Sequence, residues 1–191
     1  HYLRDAAEDF LRQHHPGLAI PIPIERIVEK DLGLDIVPFR AYRQRFGLDG
    51  AISTDLTTIT VDERCMEEYP SRYRFTLAHE AAHFVLHTDY IRSKAAESPA
   101  GWKANVLNAD SVNRSRMEYQ AHFFAGSILV PRGPLLSAFD DARRQLEKRG
   151  YDIAELSDDA SSEVAGRIAK QFQVSTQVAE RRLKKEGLSG D

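Results

Sequence analysis

Residues 71–87 read SRYRFTLAHEAAHFVLH and indicate how the rest of the chain must pack. They contain neither Gly nor Pro, their apolar residues fall on nearly every face of a helix, and Ser71 is a plausible N-cap. A helix that is apolar all round needs neighbours that cover it on all sides. The stretch therefore predicts a buried central helix from Ser71 to His87.

The centre of this helix carries the pentapeptide His79-Glu80-Ala81-Ala82-His83, an HExxH motif. Residues four apart lie one turn apart on the same helix face, so both imidazoles can reach one cation while Glu80 projects beside them. A structural His–Glu–His cluster is the alternative, but these groups need partners to offset their burial in an apolar helix. The motif predicts a zinc site at His79 and His83, with Glu80 as the general base that activates a water molecule.

A catalytic zinc usually has three protein ligands and one open position, so a third ligand should lie downstream. The main candidate is Glu118, a lone carboxylate in the apolar stretch EYQAHFFA, although a Glu in a first helical turn also complements the helix dipole. The pattern HExxHxxGxxH is the other possibility. It would place its Gly at Leu86 and its ligand at Asp89, and a helix that continues through Leu86 does not favour it.

Four further residues are weaker candidates for the metal site. His87 follows His79 by eight residues, so it has rotated away from the ligand face. Glu97 and Asp110 lie in a predicted loop, and rigid elements hold ligands better. His122 shares a helix face with Glu118, where it is either a second-shell partner or a core histidine.

The segments around the motif predict an α+β fold, in which a small twisted sheet packs on the HExxH helix. The sequence before the motif predicts helices at Leu3–Gln13 and Ile24–Asp31 and strands at 34–39, 50–54 and 57–62, the last two forming an antiparallel hairpin. The sequence after it predicts a long loop at 89–113, helices at about Arg114–Pro131 and at Leu135–Arg149, and a linker, SDDASSE.

The chain divides on this basis into a zinc peptidase-like domain, residues 1–150, and a helical appendage, residues 151–191. The appendage is predicted to form two helices around Val174-Ser175, in the manner of a helix-turn-helix, with Gln173 where Gly is common. Its basic run ends with Arg181, Arg182, Lys184 and Lys185, and such runs are usually a solvated face. DNA binding by this segment is therefore not favoured.

Composition limits the remaining possibilities. The chain has 191 residues and a formal net charge of −3, which gives no basic footprint for nucleic acid. Cys65 is the single cysteine, so no intrachain disulfide is possible, and a cytoplasmic location is expected. No run of about 18 apolar residues occurs, so we expect no membrane span.

The segments RFTLAHEAAHFVLH (74–87) and EYQAHFFAGSILVP (118–131) resemble the ImmA/IrrE family of metallopeptidases, over about residues 34–131. The resemblance implies a cytoplasmic zinc endopeptidase that cleaves a partner transcriptional repressor in a stress-response or mobile-element switch. It also implies that His79, His83 and Glu118 bind the metal and that Glu80 is the base.

Two positions depart from the family pattern. Ala82 replaces the usual Gly, a change that costs little in a helix, and His122 replaces the usual Asn beside Glu118. The residue that stabilises the oxyanion stays open, with Tyr73, Tyr90 and Tyr119 possible by residue type. A non-proteolytic zinc-containing partner of a repressor is the alternative function, although a purely structural site has no need of Glu80.

Overall fold

The computed structural model describes residues 2–93, 111–150 and 158–188. The described helices, in chain order, are α1 (Tyr2–His14), α2 (Ile24–Arg26), α3 (Tyr42–Phe46), α4 (Glu63–Glu68), α5 (Pro70–Leu86), α6 (Thr88–Ser93), α7 (Ser111–Leu129), α8 (Arg132–Glu147), α9 (Asp158–Phe172) and α10 (Thr176–Lys185). A π-helical turn at Ile27–Asp31 follows α2, and the strands are β1 (Asp35–Phe39), β2 (Gly50–Ile52) and β3 (Thr58–Asp62). The predicted α+β class is confirmed.

The three strands form one mixed sheet in the order β1-β3-β2. The predicted hairpin is confirmed, since β2 pairs antiparallel with β3 and Ala51 lies opposite Thr60. β1 pairs parallel with β3 on the other side, which no short turn can achieve, so α3 and β2 occupy the crossover. Both β1 and β2 are therefore edge strands, and the central β3 buries Ile59 and Val61 completely.

Helix α5 packs closely on the sheet, as predicted. A Cβ atom added to Gly50 of β2 would lie 2.6 Å from Cγ2 of Thr76 and 2.9 Å from the carbonyl oxygen of Thr60, so only glycine fits between helix and sheet. The predicted Ser71 cap is wrong. The helix begins at Pro70, whose missing N–H costs nothing in a first turn, and Tyr69 caps it without a side-chain hydrogen bond.

The predicted loop at 89–113 is wrong at both of its described ends. Thr88–Ser93 is helical, in a stretch without Gly or Pro, and α7 begins at Ser111 rather than at Arg114. Residues 94–110 lie outside the described residues, and the candidate ligands Glu97 and Asp110 lie among them. α7 ends two residues before Pro131, as expected of a proline stop.

Packing divides the chain into two compact units. One contains Ile24–Ala125, and the other combines Tyr2–Pro23 with Gly126–Asp191. The boundary predicted at 150/151 falls inside the second unit, where α8 packs against α9. The second unit also includes α1, a distant association that periodicity along the chain does not reveal.

The two C-terminal helices form as predicted, but the linker predicted at 157–163 is not a loop within the described residues. SDDASSE is helical from Asp158 onward, because Asp and Ser are favoured at helix starts and do not by themselves indicate a loop. Gln173, between α9 and α10, has a φ of 54°, the left-handed conformation in which Gly is common. The Ser175 side chain then caps α10 by accepting a hydrogen bond from the backbone N–H of Val178.

The basic run of α10 is not wholly a solvated face. Arg182 is 6% exposed, and its guanidinium pairs with Glu186 at 3.0 Å and donates from Nε to the carbonyl oxygen of Val130. Arg132 and Arg4 approach the same carboxylate at 3.1 and 3.6 Å. We call these residues, Arg4, Arg132, Arg182 and Glu186, the arginine cluster.

Candidate metal centre

Three predicted ligands come together in the first unit, and we call them the histidine cluster: His79, His83 and Glu118. The Nε2 atoms of His79 and His83 lie 3.1 Å apart on successive turns of α5. Across from them, on α7, the Glu118 carboxylate places Oε2 at 3.2 Å from His79 Nε2 and Oε1 at 3.6 Å from His83 Nε2. The i, i+4 spacing thus gathers two ring nitrogens, and a second helix supplies the carboxylate.

These separations fit a tetrahedral zinc ion. Zinc binds imidazole nitrogen and carboxylate oxygen at about 2.0–2.2 Å, so two ligand atoms of one tetrahedral ion stand about 3.3 Å apart. The distances within the histidine cluster, 3.1, 3.2 and 3.6 Å, bracket that value. The cluster could therefore hold a metal ion through three protein ligands.

The electrostatics of the cluster also favour a cation. The hydrogen bond from His79 and the nearby imidazoles lower the pKa of Glu118 to about 2, although burial opposes them. Burial lowers the pKa of His79, but Glu118 and Glu80 outweigh it and raise that pKa. Burial, then the charge of His79, lowers the pKa of His83 to about 3. The anionic carboxylate and the neutral His83 imidazole match the protonation state that a metal ligand set requires, whereas at His79 a metal must compete with a proton.

His122 belongs to a second possible ligand set. Ligand atoms of His79, Glu118 and His122 all lie within 4.8 Å of one another. The Nδ1 of His122 donates to the carbonyl oxygen of Glu118 at 2.9 Å, which leaves its other ring nitrogen for the site. We favour His83 as the second histidine ligand, because its contacts are shorter and its side chain is only 12% exposed, whereas His122 is exposed.

Glu80, the candidate base, is buried beside the histidine cluster. Its residue exposure is 7%, and its Oε2 accepts a 2.9 Å hydrogen bond from the backbone N–H of Ile52, in edge strand β2. Burial raises the pKa of Glu80 above its ordinary value. A cavity of about 210 Å³ opens here, and it is lined by Gly50, Phe75, His79, Glu80, Glu118 and His122. Glu80, edge strand β2 and two of the predicted ligands, His79 and Glu118, therefore share one cleft.

The other residues considered from the sequence take different roles. His87 is 7% exposed and contacts His83, with the two Nδ1 atoms 3.0 Å apart. Tyr73 donates its hydroxyl to Glu25 at 3.0 Å and is 6% exposed, as a core tyrosine would be. Burial raises the pKa of Cys65 to about 11, so its thiol is unreactive at neutral pH.

Sequence reasoning missed three groups near the site. Burial and the charge of Glu80 raise the pKa of Tyr42, which places this phenol in the electrostatic field of the candidate base. The backbone N–H of Ile52 carries no sequence signal, because any residue supplies it. Gln120 accepts a hydrogen bond from His87 at 3.0 Å, a contact between residues 33 apart that spacing does not predict.

Among the helices of residues 2–93, 111–150 and 158–188, none has the length and apolar character that crossing a bilayer requires.

Comparisons with known proteins identify the family to which the chain belongs. A model of the peptidase M78 family, the IrrE N-terminal-like domain, matches residues 26–184. A solved structure described as a Mycobacterium tuberculosis transcriptional regulator superposes with a TM-score of 0.58 at 16% identity, a likeness of fold alone. The alignment covers 96% of this chain and 46% of that protein, so this chain spans less than half of its length. No curated protein sequence matches significantly. Because the family model covers most of the chain, the protein belongs to the M78 peptidase family of IrrE N-terminal-like domains.

Proposed function

We propose that this protein is a zinc endopeptidase that hydrolyses a peptide bond in a partner transcriptional repressor. The observation that carries the proposal is the convergence of His79, His83 and Glu118 beside a cleft that the buried carboxylate of Glu80 also lines. Membership of a peptidase family supports the reaction class. The repressor, the stress-response or mobile-element role and a cytoplasmic location are expectations from the resemblance of the two motifs to the ImmA/IrrE family.

The proposed reaction divides its tasks among the residues of the cleft. A zinc ion held by the histidine cluster would acidify a water molecule and polarise the scissile carbonyl. Glu80 takes the proton of that water and passes it to the leaving amine. Its carboxylate is buried beside the ligands and within the cleft, so it is placed to carry out both steps.

Edge strand β2 offers a way to hold the substrate. The residues that flank β2 bond to β3 and its neighbour, because Ser53 donates its backbone N–H to Thr58 and Asp49 accepts from the N–H of Asp62. Gly50 and Ile52 consequently direct their peptide groups away from β3, and the N–H of Ile52 reaches Glu80. An extended peptide paired with this edge would lie along the cleft, with its main chain rather than its side chains recognised there. Selectivity would then come from docking elsewhere on a folded partner.

Glu80→Gln tests this proposal. The amide keeps the shape and the Ile52 contact but cannot accept the water's proton, so zinc and partner binding persist while turnover falls by roughly 10²–10⁴-fold. Glu67→Gln, on the exposed surface of α4, is the matched control and should cleave normally. Each form is incubated with the repressor encoded beside it, and intact mass is followed. Cleavage by Glu80→Gln at the wild-type rate would show that the assigned base is wrong.

The second candidate function is a non-proteolytic zinc-containing module. The position of His122 favours this function, because His122 could be a fourth protein ligand. Structural zinc sites have four protein ligands, whereas catalytic sites keep one position open for water. In that case neither wild type nor Glu80→Gln cleaves the repressor, and both bind it. Cleavage that begins only in His122→Ala would identify His122 as the residue that closes the site.

A further inference from the structure

We propose that His87 and Gln120 are positioning residues that fix the tautomer and ring orientation of His83, so that its Nε2 lone pair points into the metal site. The role in zinc binding rests on the proposed function, whereas the hydrogen bonds among the three side chains do not depend on it. It assigns a role to the histidine that spacing alone leaves as a helix-end residue.

The three side chains form a continuous hydrogen-bonded chain from α5 to α7. The Nδ1 of His83 lies 3.0 Å from the Nδ1 of His87, and the Nε2 of His87 lies 3.0 Å from the Oε1 of Gln120. His87 is 7% exposed, and the Gln120 side chain is half-buried. His87 is also the C-cap of α5, with a φ of −129°, so the backbone leaves helical geometry where its ring turns toward His83.

The direction of donation follows from the acceptor at the end of the chain. An amide oxygen only accepts, so the Nε2 of His87 donates to Gln120. The two Nδ1 atoms are close enough for one N–H···N hydrogen bond, so one of the two rings carries a proton at Nδ1. If His87 carried it, the buried ring would be a cation, which is costly without a counter-charge. The proton therefore belongs to His83 Nδ1, and His83 Nε2 is left bare beside His79 Nε2 and Glu118.

The other histidine ligand lacks such support. The Nδ1 of His79 is buried and has no hydrogen-bond partner within the described residues. Metal-binding histidines almost always donate their second ring N–H, and losing that outer partner typically weakens metal affinity about 10–100-fold. Only the His83 side of the site shows this device in the part of the chain that the structure describes. His83 is accordingly the ligand whose affinity should depend on a residue that never touches the metal.

Variants separate the hydrogen-bonding role of His87 from its bulk. His87→Leu removes the acceptor for His83 Nδ1–H, and Gln120→Leu removes the acceptor that orients His87, so both should bind zinc about 10–100-fold more weakly. His87→Gln restores an acceptor oxygen and should recover most of the loss. His15→Leu, in the second unit, is the control and should leave zinc affinity unchanged.

The deciding experiment is ¹⁵N NMR of the imidazoles in the zinc-free wild type, followed by zinc titration of each variant. We expect His83 protonated at Nδ1 and His87 protonated at Nε2, with the His83 signature shifting in Gln120→Leu. A wild-type spectrum with His83 protonated at Nε2 would overturn the inference, and so would unchanged zinc affinity in Gln120→Leu. If His87→Leu fails to fold, Gln120→Leu still decides the matter, because it alters only a half-buried residue. A wild type with the expected tautomers that binds no zinc would instead refute the proposed function.

Discussion

The histidine cluster and the arginine cluster are both partly buried groups of ionisable side chains, yet they satisfy their charges in opposite ways. In the arginine cluster three guanidiniums surround Glu186, whose side chain is 3% exposed, so donors meet an acceptor of opposite charge. In the histidine cluster three electron-pair donors face one another. The first arrangement already pairs its carboxylate with cations, whereas the second offers lone pairs that suit a cation. The identity of the atoms that converge, rather than their burial, distinguishes a site from a structural brace.

Cavity size would have pointed away from the histidine cluster, because a cavity of about 660 Å³ is lined by Arg43, Asp62 and Glu67 instead. The arginine cluster borders a cavity of about 310 Å³, whereas the cleft at the histidine cluster has about 210 Å³. In the part of the chain that the structure describes, neither of these two larger cavities is lined by a histidine. Chemistry therefore outweighs volume in assigning the site.

The largest expected effect is on stability, at the arginine cluster. Arg182→Met leaves Glu186 buried without its closest cation, which should cost about 3–5 kcal/mol in the free energy of unfolding. Zinc content should not change. Arg181→Met, on the exposed side of the same helix, is the control. Urea unfolding decides the matter, and a loss below about 1 kcal/mol would show that the cluster contributes little.

The next effect is zinc-linked stability, at the histidine cluster. Zinc at about 1,000 times its Kd should raise the free energy of unfolding of the wild type by about 4 kcal/mol, because only the folded chain presents the assembled ligands. His79→Ala should gain almost nothing. Thermal unfolding with and without zinc measures both forms. An equal gain in the two proteins would mean that zinc binds somewhere else.

The zinc-free histidine cluster should also make stability depend on pH. The pKa of His83 is lowered from 6.5 to about 3, so between these values the unfolded chain binds a proton that the folded chain does not. Stability therefore falls as pH drops through this window, and the effect vanishes above it. Glu118, lowered from 4.5 to about 2, acts in the same direction at lower pH. The free energy of unfolding is measured across this pH range on protein from which a chelator has removed zinc. Its slope against pH should be shallower in His83→Leu than in the wild type, and an identical slope would contradict the assignment.

The smallest effect is expected at the edge of the arginine cluster. Arg4 stands 3.6 Å from Glu186 and its side chain is 41% exposed, so solvent screens the pair. Arg4→Gln should cost no more than about 1 kcal/mol. A loss as large as that of Arg182→Met would show that all three arginines act as one unit.

Features that depend on local interactions could be predicted from the sequence, and features that depend on long-range contacts could not. The HExxH helix and the β2–β3 hairpin are local patterns, and a helix period or a strand alternation predicts them. Glu118 was predicted from the family resemblance and from its position as a lone carboxylate in an apolar stretch. The fold does bring it to His79 and His83. The roles of these residues remain predictions until metal binding is measured.

Longer-range features escaped prediction for a physical reason. The parallel pairing of β1 with β3 and the packing of α1 in the second unit join segments far apart in sequence, so no local period encodes them. The contact between His87 and Gln120 depends on how α5 and α7 meet. Arg182 was predicted to face solvent because its neighbours in the sequence are charged, but it lies on the buried face of its helix.

The proposed ligand set can be decided by elemental analysis of zinc in Glu118→Ala and His122→Ala. We expect about one zinc per chain in the wild type, close to full retention in His122→Ala and loss of zinc in Glu118→Ala, because a catalytic site needs its third protein ligand. Zinc retained in Glu118→Ala but lost in His122→Ala would contradict this expectation and place His122, rather than Glu118, in the coordination shell.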